Sequence, residues 1–261
     1  MVSCIKFYGY VCGQESGFME LGLSYHDIFW AEGIVILGSV VQGSVGIGLG
    51  PMAVPLLVLL NPVFIPGPLL LAAMLLTILM FSRERNSVDY EGFKWAISGR
   101  VLGTAAGAFI LSMIPVDYLS LIFAVMVILA VLINASGIRF RVAAWSLLIA
   151  GALSGFMGTI SAIGGAPMAL IYQNQAGPKL RSTLSAIFIV GTVLAVLALI
   201  IIGKFAYREL LLAVLLMPGI VIGFVISNYT KNILDRGYIK MAVLIVSAVS
   251  ALILIIRYLS R

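Results

Sequence analysis

The stretch QGSVGIGLGPMAVP, residues 42–55, sets four glycines (Gly43, Gly46, Gly48, Gly50) and two prolines (Pro51, Pro55) into an apolar run. Glycine and proline both weaken a helix, so a simple membrane-crossing helix has no use for them. The apolar run around them, with Glu32 near its edge, covers 28–60, which is 33 residues. As one straight helix it would measure about 50 Å, against a hydrocarbon core of about 30 Å. The spacing therefore predicts two short half-helices joined by a break. A second run, 142–173, has the same excess length with glycines and a proline near its middle.

The two runs are related. At an offset of 116 residues, Gly48, Pro51, Met52 and Ala53 match Gly164, Pro167, Met168 and Ala169, and Gly103, Gly107 and Ile110 match Gly219, Gly223 and Ile226. One register aligning two windows indicates an internal duplication. Residues 1–27 are expected to be a polar N-terminal tail, 28–141 a first transmembrane repeat and 142–261 a second. Met19 is an alternative start, and Cys4 and Cys12 in the tail read as ordinary thiols, with no Cys or His cluster that suggests a metal. His26, at the edge of the first run, is not read as a ligand.

Composition places all of this in a bilayer. Of 261 residues 62% are hydrophobic and 10% charged, where soluble domains carry roughly 25% charged residues. The net charge of +6 lies in short connections between apolar runs, where bases act as topology signals and not as a nucleic-acid surface. Trp30, Trp95 and Trp145 open segments, as interfacial aromatics do. The runs are too long, and lack the alternation, for a β-barrel. The expected fold is an all-α polytopic membrane protein with two inverted repeats, each a broken or re-entrant glycine-rich segment plus three transmembrane helices.

Whether the broken segments cross is left open by charge. Eight crossings with both ends inside, and two re-entrant hairpins with both ends outside, each put ten bases inside and five outside. Residues 82–94 and 134–141 are cytoplasmic either way. Segment length favours hairpins, and an odd number of crossings per half inverts the second half relative to the first.

Non-helical backbone at membrane depth needs protein or a water-lined cavity around it, so paired glycine-interrupted segments point to a solute site. A half-helix N-terminus offers unpaired N–H groups and partial positive charge, which suits an anion. Pro51 and Pro167 stand where such N-termini should begin. The expected ligands are Gln42, Ser44, Gly46, Gly48 and Gly50 in the first break and Thr159, Ser161, Gly164 and Gly165 in the second, with Gln173 and Asn174 at the far end. The alternative for the Ser and Thr residues is a bond back to their own helix. Arg100, inside its helix, either snorkels to the interface or meets the anion. Arg181 either pairs with a lipid phosphate or helps draw anions into a vestibule. Only Glu32 among the acidic residues falls within a membrane segment, near its edge, which argues against a carboxylate relay and for an anionic solute.

These segments carry a resemblance. GSVVQGSVGIGLGPMAVP, NSVDYEGFKWAISGRVLGTAAGAFI, GALSGFMGTISAIGGAPMALIY and KLRSTLSAIFIVGTVLAVLALIIIGKF, spanning about 34–226, are similar in order and spacing to the sulfite exporter TauE/SafE family. The resemblance implies a carrier for sulfite, an organosulfonate or a related small anion, and the expected function is a secondary transporter of the inner or plasma membrane that works by alternating access. Gly46, Gly48, Gly50 and Pro55 match the first glycine-rich break of the family, and Gly164, Gly165 and Pro167 the second. Ala166 departs from a position where the family often has proline. No cofactor, nucleic acid or enzymatic activity is implied. A coupling proton or Na+ and a homodimer are the further partners the reading admits. A passive anion channel and a non-transporting membrane scaffold or assembly protein are the alternatives.

Overall fold

A computed structural model describes residues 23–136, 140–234 and 238–260. Cys4, Cys12, Met19, Arg139 and Arg236 lie outside the described residues. Ten α-helices and no strand are present among the described residues: α1 (Tyr25–Val45), α2 (Leu49–Leu60), α3 (Gly67–Glu84), α4 (Tyr90–Met113), α5 (Leu119–Ala135), α6 (Ala144–Ser161), α7 (Gly165–Tyr172), α8 (Gly177–Ile201), α9 (Tyr207–Leu234) and α10 (Tyr238–Leu259). Six of them, α1, α3, α4, α6, α8 and α9, are long and apolar enough to cross a membrane.

Helix α1 starts at a reciprocal cap. The Ser24 hydroxyl accepts from the His26 amide, and Asp27 accepts from the Ser24 amide. His26 also accepts from the indole of Trp30 at 2.8 Å. Both long runs do break, after Val45 and after Ser161, with three residues between helices each time. The breaks begin in left-handed backbone, at Gly46 (φ 98°) and at Ala162 (φ 61°). The arms are less even than their sequence suggested. Helices α1 and α6 run 21 and 18 residues, whereas α2 and α7 have 12 and 8. The glycines come late in each run, so the first arm is long enough to span the hydrocarbon and the second is a stub. Pro51 and Pro167 lie in the first turns of α2 and α7, where an amide proton is not missed.

Each short arm folds back on the long arm before it. A Cβ placed on Gly38 of α1 would lie 3.3 Å from the Leu49 Cα, and one on Gly164 would lie 2.7 Å from the Ser154 carbonyl oxygen. The long arms then pair with helices of the other half of the chain. Helix α6 runs along α4, with Gly99, Gly103 and Gly107 facing Leu148, Ala152 and Phe156, and α1 runs along α9, with Gly219 and Gly223 facing Glu32 and Ser39. Both pairs are parallel, since contact partners advance together. Helix α3 packs on α8 and α9, and α5 on α10. One large apolar core holds Leu57, Phe64, Leu69, Leu76, Phe123 and Leu216; a smaller one gathers Leu147, Met168, Tyr172, Leu184 and Ile187.

Candidate functional site

The two breaks meet. A Cβ on Gly50 would stand 2.6 Å from the carbonyl oxygen of Ala162, and one on Gly165 would stand 3.4 Å from Ile47. Between them lies a cavity of about 50 Å³, lined by Gln42, Ile47, Gly48, Leu49, Gly50 and Pro51 from the first break and Gly158, Ala162, Gly164 and Gly165 from the second. Leu69, Leu70, Ala73 and Thr77 of α3, Arg100 of α4, and Phe188 and Thr192 of α8 complete it. The first turns of α2 and α7 thus open on the same space. Neither has a side-chain cap on its N-cap glycine, although the Gln42 side-chain oxygen accepts from the Leu49 amide at 3.2 Å.

Arg100 supplies the charge. It is 3% exposed, which excludes snorkelling as its role. Its Nη1 donates to the Ser154 hydroxyl at 2.9 Å, and that hydroxyl donates to the Gly164 carbonyl at 2.6 Å. The guanidinium stacks 5.1 Å from the Phe188 ring centroid. Its Nε is buried with no hydrogen-bond partner, and among the described residues no carboxylate is ion-paired with it. A buried cation without a counter-ion is costly. It can be sustained where an anion visits.

The side chain reaches this place over Gly191, because a Cβ there would overlap the Arg100 Nε and Cζ. Gly191→Ala is expected to displace the guanidinium and lower transport about tenfold, the value of one charge-assisted hydrogen bond. Combined with loss of Arg100 it should add nothing further. A double variant much worse than either single one would break this link.

The other expected site residues lie elsewhere. Ser44 bonds the Val40 carbonyl at 2.7 Å and the Thr230 hydroxyl at 2.9 Å. The Thr159 and Ser161 hydroxyls return to Gly155 and Met157 of their own helix, each at 2.8 Å. Gly46 faces Leu180 and Arg181. Arg181 is ion-paired to Glu84 at 2.9 Å. None of these five lines the cavity, and neither do Gln173 and Asn174. Ser154, Phe188, Gly191 and Thr192 had no signal in the sequence beyond their places in apolar helices. A larger space of about 400 Å³ lies between α5, α6 and α7, lined by Leu132, Phe140, Trp145, Ile149 and Leu170 and, among the described residues, by no charged side chain.

The family model described as sulfite exporter TauE/SafE matches residues 33–254 of the chain. No curated protein and no solved structure matches it.

Proposed function

The chain belongs to the sulfite exporter TauE/SafE family, and from that premise we propose that it binds a small oxyanion at the junction of its two breaks and carries it by alternating access. The membership and the apolar helices make it a multi-pass transporter of the cell membrane, not an enzyme. The observation that carries the site is Arg100, buried and without a carboxylate, beside two helix N-termini that face one cavity. Sulfite or an organosulfonate suits it: negative charge on several oxygens matches a guanidinium and backbone amides together.

The two-repeat, inverted architecture is part of this proposal. Shifting every helix by 116 residues maps α1 onto α6, α2 onto α7, α3 onto α8, α4 onto α9 and α5 onto α10. It exchanges the α4–α6 pair with the α1–α9 pair. The fold-back of α2 and α7 supports re-entrant hairpins. The first then enters from the outer face and the second from the cytoplasmic face, both towards the cavity. Alternating access is the rocking of one half against the other around it.

Reconstituted protein on a solid-supported membrane, offered sulfite, sulfate, thiosulfate, sulfoacetate, taurine and carboxylates, tests this. Saturable currents for one or more sulfur oxyanions are expected. Unitary conductances in single-channel recording would instead indicate a passive pore, and the absence of both current and thermal shift with every anion would leave a scaffold.

A further inference from the structure

A second cluster of charge lies beside the cavity, where α3 enters the 82–94 connection that the charge rule assigns to the cytoplasm. Arg181 of α8 grips Glu84 of α3 with Nε at 3.1 and 2.9 Å from the two carboxylate oxygens and Nη2 at 2.9 Å. Its Nη1 donates to the Ser44 carbonyl at 3.1 Å. Arg83 approaches the same carboxylate at 3.6 Å and donates to the Gly43 carbonyl, to the Ser227 hydroxyl at 3.2 Å and to the Asn228 side-chain oxygen at 2.9 Å. Two arginines therefore share one carboxylate and the last carbonyls of α1, whose C-terminal dipole favours cations. Their side chains are only 13% and 6% exposed. The cluster holds one more positive than negative side chain, and among the described residues no other acid is ion-paired to it.

Its position is that of a stopper. A Cβ on Gly46 would stand 3.0 Å from Arg181, and the next residue, Ile47, is cavity wall. The pair also ties one half of the chain to the other. On the two-repeat reading, the positions equivalent to Arg83 and Arg181 are Leu199 and Ile65, both buried and apolar. Packed aliphatic side chains thus suffice at the opposite face, and the fold itself does not require charge here.

Resting on the transporter reading above, we propose that Arg181 is the first landing point for an oxyanion arriving from the cytoplasm, and that Glu84 is a tethered carboxylate holding that place shut until the anion displaces it. A carboxylate and a sulfite or sulfonate group each present two oxygens to a guanidinium fork, so one replaces the other without leaving the arginine bare. Displacement releases the tie between the ends of α3 and α8 and opens the way past Ile47 to Arg100.

The test is the half-saturating sulfite concentration at each membrane face, in proteoliposomes of known orientation, for wild type, Glu84→Gln and Arg181→Gln. Removing the competing carboxylate should lower the cytoplasmic value about five- to tenfold, and removing the landing point should raise it by a similar factor, as expected of one charge-assisted contact. Values at the outer face should stay within about twofold. If Glu84→Gln does not fold, Glu84→Asp shortens the tether and should move the value the same way, less far. A purely structural pair would shift both variants in one direction, or both faces alike; either result overturns the proposal. Sulfite-saturable currents with unchanged values in both variants sink the landing site alone, whereas a wild type that neither carries nor binds sulfite sinks the function proposed above and this site with it.

Discussion

Arg100→Met is expected to abolish anion transport while raising the melting temperature. The guanidinium is the one charge lining the cavity among the described residues, and two charge-assisted hydrogen bonds to a bound anion are together worth about a hundredfold or more in transport. Methionine keeps the length that passes Gly191 and the contact with Phe188. Ser154 keeps its bond to the Gly164 carbonyl, so no buried polar group is orphaned. Replacing a buried ion pair by packed apolar side chains stabilises by about 1–4 kcal/mol, and a lone buried charge is expected to fall in the same range, a rise of roughly 2–10 °C. Arg100→Lys should fall between, about tenfold down, since an ammonium keeps charge but not the fork. Thermal unfolding in detergent and sulfite currents, measured on one preparation, check both halves. A methionine variant that still transports at wild-type rate would remove Arg100 from the site, and one that simply unfolds would make the residue a structural one.

Gly103→Val is expected to destabilise the fold severely. Helices α4 and α6 approach closely along Gly99, Gly103, Gly151 and Gly155, and a Cβ on Gly103 would overlap the Ala152 carbonyl. The obstacle is backbone, so the helices must part. In lipid there is no hydrophobic force to hold them, and close contact of small residues is what does. The cost is about 3–5 kcal/mol, a fall of roughly 10 °C or more, with loss of the monodisperse peak in size-exclusion chromatography. Gly33→Ala is the control. Nothing lies within 4 Å of its would-be Cβ, and in a helix the change should be neutral or stabilising by up to about 1 kcal/mol. Equal damage from both variants would show that the seam is not special.

What the sequence showed depended on rarity. Glycine and proline are conspicuous inside apolar runs, so both breaks were legible in the chain, and the 116-residue register remains part of the proposal. The lengths of the arms were not, because a helix α1 of 21 residues and two equal half-helices fit the same composition. Arg100 was visible as a charge in an apolar helix, but its depth was not, since snorkelling and burial look identical along the chain. Its setting was hidden for a different reason. Ser154, Phe188 and Gly191 come from α6 and α8, and tertiary neighbours leave no local pattern. Thr159 and Ser161 carried the right chemistry at the right depth, yet a hydroxyl at helical spacing has its own carbonyl four residues back always in reach. Glu84 sat in a stretch that reads as a solvated connection, whereas α3 runs on to that residue and turns it inward against Arg181.

The lone guanidinium of Arg100 also has an electrical consequence. Each elementary charge feels about 2.3 kcal/mol per 100 mV across the full membrane, and a charge part-way through feels its share. Empty, the cavity carries one positive charge, that of Arg100, into that field. Holding a monovalent anion, it carries none, and holding a divalent one it carries a negative charge. On the cycle proposed above, membrane voltage acts on the unloaded site for a monovalent cargo and on both forms for a divalent one, so with sulfite as the proposed cargo its protonation state would set which step the voltage drives.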